Sequence, residues 1–291
     1  MEILINLSEV KNQLDLEKSN EAFNFPFIFY KSFLDEEHFF DDGSLNFKLI
    51  GSPKNCSSFI INGKMFFCAT QGLNNKICER LPISDFDLID NSANFEKEII
   101  CSLNTVIEIN ENYFNIIADF IKLFYFTRIS NGNQITSATF PVFPFCSFFS
   151  ERATFHLPPF YENKKNKKYI LSENIYHEAI HQSVNLAILT GEILNPEFNY
   201  KTSNKINIPW RNKFWELDRV LHATFVYGHL IQYRTDALKK FPELTFLKTL
   251  IDESIGCYKY LRGELIKAEA DFTKFGFEQI TKKLPPTSVW Q

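Results

Sequence analysis

Two histidines stand four residues apart in "YHEAIHQ", His177 and His181, with Glu178 directly after the first. On a helix four residues turn about 400° and rise about 6 Å. Both imidazoles therefore leave one face, a turn apart, and can grip a single ion. Glu178 falls at the edge of that face, where the matching carboxylate of zinc proteases activates a metal-bound water. The flanking Ile175, Ala179, Ile180, Val184 and Leu186 are apolar, so much of this helix is expected to be buried. Histidines on a buried helix need partners, and a metal is the partner this spacing predicts.

A catalytic metal needs a third protein ligand and an open position. The extension HExxHxxGxxH is absent, because Val184 and Ala187 occupy the Gly and His places. Glu253, in "IDESIGC", offers a carboxylate from a later helix. His222, in "WELDRVLHATFVYGHLIQYR", is the better candidate. It lies 41 residues after His181, enough for a helix to end, a connector to return and a second helix to begin. His229 points the same way as His222 but about 10 Å further along the axis, so it reads as a core histidine or a substrate contact. Asp218, one turn before His222, could orient that ring. Three histidines suit zinc hydrolysis, and equally non-haem Fe(II) with a chelating cosubstrate and O2.

The elements that must carry these residues divide the chain in two. The fold class is α+β. Residues 1–165 read as a mixed α/β scaffold and candidate peptide-binding region, and 166–291 as a helical metal-binding region, with one compact unit as the alternative. In the first half, 8–20 has helical character. "SSFIINGKMFFCAT" is a hairpin about Asn62-Gly63, the pair favoured in tight I′ turns. "YFNIIADFIKLFYFTRI", 113–129, predicts one buried helix. The stretch 131–160, interrupted by Pro141, Pro144, Pro158 and Pro159, reads as irregular strands. In the second half, Ser172 is placed as the N-cap of the HExxH helix, which runs to about Gly191. A second helix follows Pro209 to about Arg234, and further helices fit 243–270 and 271–283.

"YHEAIHQSVN" followed by "IPWRNKFWELDRVLHATFVY" resembles the HExxH-type iron- and 2-oxoglutarate-dependent peptide β-hydroxylases of ribosomal peptide (RiPP) biosynthesis. The shared elements are His177, Glu178 and His181, then Pro209, Trp210 and Arg211, then Val220, Leu221 and His222. They cover roughly residues 165 to 235. The resemblance implies Fe(II) held by His177, His181 and His222, with 2-oxoglutarate and O2 at the open face, and hydroxylation of a side-chain Cβ in a ribosomal precursor peptide. Glu178 would then have no water to activate. The cosubstrate's distal carboxylate calls for a cation, preferably a bidentate guanidinium. Arg211 is the first choice, from the Pro-Trp-Arg match, and Arg219, one turn before His222, the second. Trp210 reads as core beside the site.

Two other readings use the same residues. One is a zinc metallopeptidase with Zn(II) on His177 and His181 and Glu178 as general base. The other is a non-catalytic peptide-binding module held together by a structural metal. Composition narrows the partners. A net charge of -4 predicts no nucleic-acid partner, and the basic run "NKKNKK" at 163–168 reads as a solvated loop. No charge-free apolar stretch predicts a membrane span. Six cysteines with no CxxC spacing, behind an N-terminus without a basic leader, read as reduced thiols of a cytoplasmic protein. The 32 Phe against 10 Gly are an unusual aromatic content, and the many Asn, Lys and Ile residues read as compositional bias.

Overall fold

The computed structural model describes residues 56–69, 86–88, 93–129, 135–140, 145–158, 161–189, 193–199 and 205–285. The helix expected at 8–20 lies outside them, as do Pro141, Pro144 and Pro159. The architecture is mixed α+β, with strands concentrated before residue 165 and helices after it. The chain separates into two compact units, with the described residues up to Gln182 in the first and those from Ser183 in the second.

The first unit is built on a sheet of six described strands. β1 (Cys56–Ile61) and β2 (Lys64–Ala69) form the expected hairpin, paired Ile61 with Lys64. Asn62 and Gly63 close it with φ of 46° and 73°, the left-handed values a I′ turn demands. β3 (Phe86–Leu88) follows, then α1 (Ala93–Ile109), α2 (Glu111–Phe120) and β4 (Leu123–Ile129). β5 (Ser137–Thr139) and β6 (Cys146–Ser150) complete the sheet in the order β1-β2-β4-β6-β5, with β3 paired to the far end of β4. β4 lies parallel to both β2 and β6, and every residue of β6 is buried, as a strand covered on both faces requires.

The expected single helix over 113–129 is therefore two elements. α2 ends at Phe120, and Ile121 turns extended with φ -126° and ψ 124°. The rest, "LFYFTRI", is aromatic and β-branched, and it finds strands on both sides. Sheet pairing outweighs the apolar periodicity that made it look helical. Phenylalanines fill much of this core. Phe124 packs against Phe66 and Phe149 with ring centroids 6.0 Å apart in each case, and Tyr125 stacks on Phe148 at 5.1 Å. A 3-10 turn (Glu151–Thr154), the short pair β7 (His156–Leu157) and β8 (Tyr161–Glu162), and the helix α3 (Lys167–Leu189) follow.

The second unit begins within α3. β9 (Ile206–Ile208) and β10 (Lys213–Trp215) pair antiparallel around a 3-10 turn made by Pro209–Arg211, with Pro209 at its first position and Asn212 left-handed after it. Two long helices follow, α4 (Leu217–Lys240) and α5 (Leu247–Lys267). A short turn joins them, and Gly228 faces Tyr258 while Arg234 reaches Leu250 and Ser254, so they pack antiparallel. The helix expected from Pro209 thus starts later, at Leu217, and continues to Lys240. The expected 243–270 helix is α5, and 271–283 resolves into α6 (Lys274–Glu278) and a π turn (Gln279–Lys283). Gly276 of α6 lies so close to Ile193 that a Cβ there would stand 2.2 Å from the Ile193 carbonyl oxygen, so the contact requires glycine. Among the described residues no helix is long and apolar enough to cross a membrane.

Candidate metal centre

α3 starts five residues earlier than its expected cap. Lys165 N donates to Asn163 Oδ1 (2.8 Å), and Ile170 N makes the first helical bond to Asn166 O (3.0 Å). Ser172 is therefore inside the helix, where its hydroxyl donates to the Tyr169 carbonyl (2.7 Å). This early start places the HExxH segment mid-helix, where both histidines have regular backbone on either side.

The helix is fixed by polar contacts as well as by apolar burial. Asn174 Nδ2 donates to the carbonyls of Ala153 and His156, 2.9 Å each. Gln182 Nε2 donates to the Cys146 carbonyl of β6 (2.6 Å). Tyr176 packs on Tyr113 of α2 at 5.0 Å. From residue 169 to residue 187 every position is buried except two, His177 and His181. Their Nε2 atoms are 3.0 Å apart and their ring centroids 4.7 Å. An ion about 2.0–2.1 Å from each nitrogen would need them about 3 Å apart, so this pair fits a metal. The same spacing also serves a hydrogen bond in which one neutral ring donates to the other.

Glu178 is turned into the protein, 2% exposed. Its Oε1 accepts a hydrogen bond from Ser137 Oγ of β5 (2.6 Å), and its Oε2 is buried with no hydrogen-bond partner. Burial pushes its carboxyl up to about 7, while the nearby Ser137 and Thr139 hydroxyls pull the other way. The Thr139 hydroxyl does so without completing a hydrogen bond to Oε2. A carboxyl poised there exchanges a proton near neutral pH. Ser137 was not legible in the sequence: a serine in a short strand 41 residues upstream carries no motif that links it to Glu178.

The remaining candidates belong to the second unit. His222 sits in the first half of α4, partly exposed. Among the described residues no group of three or more His, Cys, Asp or Glu is gathered to hold a metal, so the third ligand rests on sequence. Glu253 is exposed on α5. His229 is buried, 3% exposed, and burial lowers it to about 3, which keeps the ring neutral. Asp218 Oδ1 is buried without a partner, and desolvation first of all raises its carboxyl.

The two arginines differ sharply. Arg219 is exposed, and its guanidinium lies 4.6 Å over the Trp215 ring, a cation–π contact that accounts for it structurally. Arg211, in the Pro-Trp-Arg turn, is half-buried and lies within electrostatic reach of Tyr227 and Cys257. Burial raises both of those groups. Trp210 meets Tyr260 edge-on at 5.5 Å, but both rings are only half-buried, so the core place expected of Trp210 is not what it holds. No protein-family model matches this chain, and no curated protein matches it.

Proposed function

We propose that the protein is an Fe(II)- and 2-oxoglutarate-dependent oxygenase that β-hydroxylates a side chain of a ribosomally made peptide. The observation that carries this reading is the isolation of His177 and His181. They are the only accessible positions on a buried stretch of helix, and their Nε2 atoms converge. The resemblance in "PWR" and "VLH" then favours iron chemistry over hydrolysis. It adds His222 as third ligand and Arg211 as the partner of the cosubstrate's distal carboxylate. The stacking of Arg219 on Trp215 supports choosing Arg211.

Fe(II) held by His177, His181 and His222 would supply the oxidation, in which O2 would give one oxygen atom to the succinate left when 2-oxoglutarate loses CO2 and the other to a peptide C–H bond. The chain's own residues bind and orient. The helix that carries the two imidazoles is fixed by Gln182, which ties it to β6, and by Asn174, which ties it to the 3-10 turn and β7. Glu178 is held by Ser137 as a buried support beside the imidazoles. We place the reaction in the cytoplasm, in keeping with Cys101 and Cys257 as free thiols.

The near-neutral carboxyl of Glu178 favours a second reading, a zinc metallopeptidase with Glu178 as its general base. Glu178→Gln separates the two. The oxygenase should keep succinate formation within about tenfold, the lower end of what loss of a supporting group costs. A peptidase would lose all hydrolysis while still holding its metal.

A further inference from the structure

The first unit contains a recess formed by residues that the metal reading does not use. It lies between α1 and the first turns of α3 and has a volume of about 240 Å3. Its floor is buried: Ser102 and Leu171 are each 1% exposed, and Thr154 joins them. Its rim is charged and exposed, with Lys97 on α1 and Lys167 and Lys168 at the start of α3. Glu98 is the one opposing carboxylate in the lining.

We infer that this recess binds a small organic anion, an anionic head on a short apolar chain. Three features lead there. The lysines outnumber the single carboxylate, and the N-terminal turn of a 23-residue helix adds its positive pole. The Ser102 hydroxyl is buried in the floor and has no hydrogen-bond partner. A buried hydroxyl left that way is costly, and a ligand oxygen would satisfy it. Thr154 differs, since its hydroxyl already donates to the Glu151 carbonyl (2.9 Å). Finally, the volume falls just under the roughly 300–1,000 Å3 of pockets for drug-sized ligands, which limits the guest to a short chain. The apolar Leu171 takes the chain, and the lysine ammoniums take the head.

Titration calorimetry on the full chain tests this with four probes of equal chain length: hexanoate, hexyl phosphate, hexanol and hexylammonium. Saturable binding of hexanoate or hexyl phosphate is expected, with hexanol and hexylammonium at least tenfold weaker. The tighter of the two anions identifies the head group as carboxylate or phosphate. Lys167→Glu/Lys168→Glu, two exposed reversals, should weaken the anion at least tenfold, whereas Lys239→Glu on α4 should leave it unchanged. Cys101→Trp, which fills the recess from α1, should abolish binding with an unaltered far-UV circular dichroism spectrum. Failure of both anions to bind saturably by about 10 mM, where even weak affinities register, would overturn the proposal. So would affinity unchanged in the double reversal.

Discussion

His177 and His181 keep access to solvent on a helix whose other positions from 169 to 187 are all buried. Packing alone would favour apolar residues at both. Their retention at a 3.0 Å Nε2 separation is the residue-scale argument for a metal. His177→Ala and His181→Ala should each weaken Fe(II) binding by more than the roughly 10–100-fold that a supporting group costs. Metal content after anaerobic reconstitution and gel filtration measures it, and near-stoichiometric iron in either variant would count against the pair as ligands. His222→Ala carries the same expectation, and retained iron there would redirect the third ligand to Glu253. The HExxH pattern was legible because helical spacing follows from sequence alone. The Ser137 hydroxyl on Glu178 was not, because it depends on how β5 meets α3.

At the scale of elements, α3 holds its register through side chains that cap foreign backbone. Asn174 serves two carbonyls, those of Ala153 and His156, which are otherwise without that donor. Asn174→Ala should therefore lower stability by about 1–3 kcal/mol, the cost of stranding buried polar groups. Denaturant unfolding followed by fluorescence measures it, and an unchanged midpoint would show that water replaces the amide. The same scale explains where sequence reading failed. The 113–129 segment is apolar enough for a buried helix, yet Leu123–Ile129 is taken by strands on both sides, parallel β6 on one and parallel β2 with antiparallel β3 on the other. Periodicity cannot separate a buried strand from a buried helix when a segment is largely apolar. The hairpin at Asn62-Gly63 was legible because positive φ at both turn residues is a local demand. The 3-10 turn at Pro209 was not, because proline opens a 3-10 turn as readily as an α-helix.

For the whole molecule, acid sensitivity follows from His229. Burial holds the ring neutral down to about 3, while in the unfolded chain it takes a proton near its ordinary value of about 6.5. Between those values the unfolded state binds more protons, so stability rises with pH there. The contribution is full above about 6.5 and is lost as pH falls toward 3. His229→Gln should flatten the stability profile across that window, as thermal melts from pH 7 to 4 would show; an unchanged slope would remove His229 as the cause. The central claim concerns chemistry rather than stability, and one measurement addresses it most directly. Protein prepared anaerobically with Fe(II) is titrated with 2-oxoglutarate and its visible spectrum recorded. A weak metal-to-ligand charge-transfer band that saturates at one 2-oxoglutarate per chain, and is missing from His177→Ala, is the predicted result. No band, together with one tightly held zinc per chain as isolated, would contradict the account.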